Sequence, residues 1–88
     1  MSKITPEDAA VCRAALDALK KIAPDGLRKE PLMGIASTSV GRPLLTVEKE
    51  RVFFTLRDRE WIRLHVNTIT GMETWIITEN GLAAMEAL

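Results

Sequence analysis

At Trp61 the apolar pattern of this chain changes period, and that change limits the folds open to it. Before it, apolar residues recur every three or four positions. From Trp61-Ile62-Arg63-Leu64-His65-Val66-Asn67 they alternate, and after Thr78 the helical spacing returns. A 3.6-residue period buries one stripe of a helix and a two-residue period buries one face of a strand. The chain must therefore hold helices against a small antiparallel sheet, an α+β arrangement. At 88 residues there is length for one domain, residues 1–88, and one thin core.

The first helix is marked at both ends. Thr5 is a capping residue, Pro6 suits the first helical position, and Glu7 and Asp8 complement the positive end of the helix dipole. Val11, Ala15, Ala18, Leu19 and Ile22 form its apolar stripe, and Ala23-Pro24-Asp25-Gly26 stops it. The spacing predicts a helix over about Pro6 to Ala23. Between Leu27 and Arg42, the residues Leu32, Met33, Ile35 and Ala36 predict one face of a short second helix opened at Pro31. Gly34, Ser37, Thr38 and Ser39 work against a regular one. A third helix opens at Thr46, with Val52, Phe53 and Leu56 inward, Glu48 and Glu50 early, and Arg57 and Arg59 late.

In the hairpin, Ile62, Leu64 and Val66 share the side expected to close over the core. Arg63, His65 and Asn67 share the other. Thr68-Ile69-Thr70-Gly71-Met72 supplies the turn, and Glu73-Thr74-Trp75-Ile76-Ile77 the returning strand. Thr78 caps a last helix with Leu82, Met85 and Leu88 at apolar spacing, in which Gly81 is a mild weakness.

Helix, short helix, helix, hairpin, helix is the order of the winged helix-turn-helix superfamily, and two segments carry the likeness. Leu56-Arg57-Asp58-Arg59-Glu60-Trp61-Ile62 resembles the passage from recognition helix to wing in bacterial winged-helix regulators. Ile77-Thr78-Glu79-Asn80-Gly81-Leu82 resembles the opening of their last helix. The likeness covers Thr46–Leu88, and Glu60 replaces the glycine usual between helix and wing. The resemblance implies three helices, a β-hairpin wing and a C-terminal helix. It also implies a third helix in the major groove of DNA, as in a transcriptional regulator. Arg42, Lys49, Arg51 and Arg57 then become candidates for DNA contacts, with Arg63 and His65 on the wing.

Composition pulls the other way. Twelve basic residues balance twelve acidic ones, so the phosphate attraction underlying DNA binding has no global source here. The arginines could as well pair with Glu48, Glu50, Asp58 or Glu60. With Val52, Phe53 and Leu56 inward, the outward face of the third helix carries Val47, Glu50, Phe54 and Arg57. Val47, Phe54 and Trp75 are the candidates for a protein contact, either with another protein or within a homodimer.

No catalytic constellation emerges. His65 is the only histidine, and the single cysteine, Cys12, lies in an apolar helical stretch that predicts burial. A zinc site lacks its ligands, and Gly34 and Gly41 stand alone rather than in a phosphate loop. The reading is a non-enzymatic domain with no metal, cofactor or small-molecule ligand. No apolar run is long enough for a membrane, and the N-terminal Met1-Ser2-Lys3-Ile4 has no leader-like block, which predicts a cytoplasmic protein.

Overall fold

The computed structural model describes residues 4–88; the expectation drawn from Met1, Ser2 and Lys3 falls outside them. Among the described residues, α1 (Pro6–Ile22), α2 (Lys29–Val40) and α3 (Thr46–Asp58) precede a hairpin of β1 (Ile62–Val66) and β2 (Glu73–Ile77). A fourth helix, α4 (Glu79–Ala87), follows. The α+β class stands, and no helix among the described residues is long and apolar enough to cross a membrane.

The ends of α1 follow from its sequence. Thr5 Oγ1 accepts the Asp8 N–H at 3.1 Å, and the helix gives way at Ala23. Val11, Cys12, Ala15, Leu16 and Leu19 are all fully buried, while Ile22 lies at the exposed margin. The second helix is a regular twelve-residue element that begins two residues before Pro31. Proline fits there because the first N–H groups of a helix have no intrahelical acceptor. Its hydroxyls bond to backbone, Thr38 Oγ1 to the Gly34 carbonyl (3.1 Å) and Ser37 Oγ to that of Arg42 (2.7 Å). Packing of Leu32, Met33 and Ala36 into the core overrides the weak propensity. Ile35, expected on that inner face, is 44% exposed.

Val52, Phe53 and Leu56 of α3 point inward as their spacing predicts. The helix ends in a Schellman arrangement: Trp61 N–H donates to the Leu56 carbonyl at 3.0 Å and Glu60 N–H to that of Arg57 at 3.1 Å. This closure requires a left-handed residue, and Glu60 adopts it with φ of 58°. The position where the resemblance led us to expect glycine thus keeps glycine's backbone conformation.

The strands pair antiparallel with Ile62 opposite Ile77, Leu64 opposite Trp75 and Val66 opposite Glu73. On the far side of β2, Leu27 and Trp75 exchange two backbone bonds (3.0 and 2.7 Å), so the link between α1 and α2 adds a one-residue third strand. Gly26 lies so close to β2 that a Cβ there would strike the Trp75 carbonyl and come within 2.7 Å of Ile76 Cγ2. At the tip, Asn67 Oδ1 accepts the N–H groups of Ile69 (2.8 Å) and Thr70 (3.0 Å), closing the turn before Gly71.

Two expectations about burial fail. Of the three apolar residues on one side of β1, only Ile62 is buried; Leu64 is 43% and Val66 46% exposed. The alternation is real, but the strand runs past the edge of the helical layer that would cover it. In α4 the buried positions are Gly81 and Ala84, and Leu82 is 42% exposed. Gly81 is there because the helix start presses on the preceding chain. A Cβ would meet the Trp61 carbonyl and approach Ile77 Cγ1 to 2.9 Å. The mild propensity weakness at Gly81 is therefore a packing requirement.

Candidate interaction surface

Residues that point away from the core on α3 form the first part of the surface. Glu48 lies at the inner edge, buried, and Arg42 embraces it through two bonds, Nη1 to Oε1 at 2.9 Å and Nη2 to Oε2 at 2.5 Å. The Leu45 N–H, which opens α3 without a capping side chain, donates to the same carboxylate at 3.4 Å. The Arg42 hydrogen bonds hold the Glu48 carboxyl well below the carboxylate range, at about 2. Arg51, one turn on, reaches across to α1: Nε to Asp8 Oδ2 at 2.6 Å and Nη2 to Asp8 Oδ1 at 2.9 Å. Asp8 is only 6% exposed. Bidentate arginine–carboxylate pairs of this kind fix geometry as well as charge. Both guanidinium groups are therefore engaged by carboxylates of the same chain, although the arginine side chains themselves stay about half exposed.

The remaining cationic candidates separate into two groups. Lys49 is half-buried on α3, and Arg57 is exposed near its end. Arg63 and His65 are exposed on β1, on the side opposite Leu64 and Val66. No carboxylate pairs with any of these four among the described residues. Arg63 and His65 thus share the hairpin, while Lys49 and Arg57 are divided from each other by two turns of α3.

The apolar candidates behave differently. Val47 is 68% and Phe54 58% exposed. Trp75 is half-buried and meets the Phe53 ring edge-on, with centroids 5.1 Å apart and planes at 88°. Lys29 caps this pair, its Nζ lying 5.1 Å from the Phe53 centroid and 2.5 Å from Glu50 Oε1. Lys29, Glu50, Phe53, Phe54, Arg57 and Trp75 line one shallow groove between α3 and the hairpin. The groove has an aromatic floor anchored in the core, an aromatic rim, and Arg57 as its cation without a carboxylate partner. Trp61, the other tryptophan, is half-buried with Arg59 above its ring at 5.6 Å.

Sequence reasoning placed Phe54, Val47 and Trp75 on or near this surface. It missed the Asp8–Arg51 pair, because the partners lie 43 positions apart and no local spacing signals them. It also missed Lys29, whose role depends on where the start of α2 meets α3. Among the described residues no cluster of three or more histidine, cysteine, aspartate or glutamate side chains is arranged to hold a metal. Compared with known protein families, curated proteins and solved structures, the chain finds no match.

Proposed function

We propose that this chain is a non-enzymatic winged-helix domain that binds another protein through the outward face of α3, centred on Phe54. The supporting observation is the contrast on that face. Phe54 is 58% exposed beside an aromatic groove, while Arg42 and Arg51 are bound to Glu48 and Asp8. The helix order, the single-residue strand at Leu27 and the left-handed Glu60 favour the winged-helix reading of the fold. An exposed aromatic next to an arginine suits a protein partner that brings an apolar side chain and a carboxylate. A duplex would meet Glu50 and Asp58 on the same helix and gain little from Phe54.

DNA binding is the second reading, favoured by Lys49, Arg57 and Arg63, whose charges meet no carboxylate among the described residues, and by His65 exposed beside Arg63 on the hairpin. One pair of measurements separates the two. A photo-crosslinking phenylalanine analogue at position 54 should give a discrete adduct with one protein in extract of the source cells. The same analogue at Ile35, exposed on α2, should not. In parallel, the ¹⁵N-labelled domain is titrated with a mixed-sequence duplex at low salt. Amide shifts across α3 and the hairpin, reversed by added salt, would overturn the protein reading and establish the other.

A further inference from the structure

The outer edge of β1 carries no partner strand. The register and the flanking bonds fix which way its backbone points. Trp75 spends its N–H and carbonyl on Leu27, so it forms no bonds with Leu64, the residue opposite. Asn67 N–H donates to the Met72 carbonyl at 2.8 Å, which sets the bonded pairs along β1 at the odd positions. The N–H and carbonyl groups of Ile62, Leu64 and Val66 therefore face outward, away from β2. No other backbone group of the described residues pairs with them.

This edge is only lightly protected. It contains no proline or bulge, its one charged residue, Arg63, projects from the face opposite Leu64 and Val66, and the sheet face beside it is apolar where it leaves the core, at Leu64 and Val66. It is also self-complementary. Three outward residues at every second position are symmetric about the middle one, so a second strand laid antiparallel about Leu64 uses all of them.

We infer that β1 is a self-association edge, and that two copies of this chain pair their β1 strands antiparallel about a two-fold axis at Leu64. In that register Leu64 faces the partner's Leu64, and Ile62 and Val66 face the partner's Val66 and Ile62. About six backbone hydrogen bonds form. The apolar residues stay on one face, where cross-strand pairs of this type are favourable. A slip of two residues in either direction leaves one outward residue unpaired on each strand and about four bonds, so the register centred on Leu64 is preferred. Arg63 lies across from the partner's His65 on the other face and contributes no attraction. Such an interface is isologous and closes as a dimer rather than propagating.

The test has two parts. Sedimentation equilibrium of the intact chain should show mass rising with concentration from 9.8 kDa toward twice that value. Leu64→Lys, at a half-exposed site, should keep the helical circular dichroism and raise the dissociation constant roughly tenfold or more, by setting two ammonium groups face to face. Phe54→Arg should leave association unchanged, which keeps this test independent of the Phe54 reading. The second part is geometric. Under mild oxidation Leu64→Cys should cross-link to itself, because directly opposed residues lie about 5.5 Å apart, within disulfide reach. Val66→Cys should not, since its own mate is offset by about 13 Å along the strands. Cys12 is buried with its thiol pushed up to about 12, chiefly by desolvation, and supplies no background. A monomer at every concentration overturns the inference. So does a dimer indifferent to Leu64→Lys, or cross-linking at Val66→Cys that matches Leu64→Cys.

Discussion

The helical body and the hairpin are comparably apolar in sequence, yet the fold buries the inner face of one along its length and leaves the outer half of the other uncovered. In the body, Val11, Leu16, Leu19, Leu32, Val52 and Leu56 have no exposed surface at all. In the hairpin, Leu64, Val66, Met72 and Ile69 are exposed by 43%, 46%, 52% and 93%. Both segments have a clean apolar face. The difference is a second layer: α1, α2 and α3 pack on one another, whereas only the inner half of the hairpin, at Ile62, Trp75 and Ile77, meets them. Periodicity determines which residues share a face, and the extent of the opposing layer determines how much of that face is buried. Apolar surface left over in so small a domain is available for association.

The sharpest way to break this comparison is to make the same chemical change in both regions. Leu56→Ala removes a fully buried side chain and should cost about 3 kcal/mol, lowering the melting temperature by more than about ten degrees. Leu64→Ala, measured below the concentration at which the chain associates, should shift it by less than about two degrees. Equal losses from the two substitutions would mean that the hairpin face is covered and that the contrast is wrong.

The junction between the regions supplies a second test. Helix propensity alone says that Gly81→Ala should stabilise α4. The collision of the new methyl group with the Trp61 carbonyl and Ile77 predicts the reverse, a loss of about 2 kcal/mol by denaturant unfolding. A gain in stability would show that α4 is free to move off the hairpin root.

The same root marks the limit of what the residues reveal in order. Thr5 at the start of α1, the inward trio Val52, Phe53 and Leu56, and the strand over Ile62–Val66 are local signals found where their spacing puts them, although the burial of Leu64 and Val66 that the alternation predicts is not. The length of α2 was not legible, because burial of Leu32, Met33 and Ala36 outweighs four weak helix formers. The close approaches at Gly26 and Gly81 and the Asp8–Arg51 pair were hidden for one reason: each joins elements distant in sequence. On the candidate surface, Phe54 could be read from helical phase. The engagement of Arg42 and Arg51 required the packing of α3 against its neighbours.

That engagement gives a third, smaller prediction, one that distinguishes an arginine held for structure from one held for DNA. Arg51→Ala leaves the Asp8 carboxylate buried beside α3 without its bidentate partner, so the melting temperature should fall with no DNA present. Asp8→Ala in the Arg51→Ala background should then cost less than it does in the intact protein. Additive losses from the two substitutions would return Arg51 to the set of cations available to an outside partner.

The smallest effect is the most specific, because it is read as a change of slope. The Arg42 bonds hold the folded Glu48 carboxyl at about 2, against an ordinary value of 4.5. A depressed folded value means that the folded chain binds fewer protons than the unfolded one between these limits, so this pair stabilises the fold above about pH 4.5. Its contribution declines as pH falls and is gone once pH passes below about 2. Arg42 is half-exposed, so the magnitude is modest and screened by salt. Glu48→Gln should flatten the acid limb of the stability curve between these values and leave the slope near neutrality unchanged. An acid limb as steep in the variant as in the parent would mean that Arg42 does not hold Glu48 in solution. Its guanidinium would then be available beside Val47, and the balance between the apolar residues of this surface and its cations would shift toward a phosphate-bearing partner.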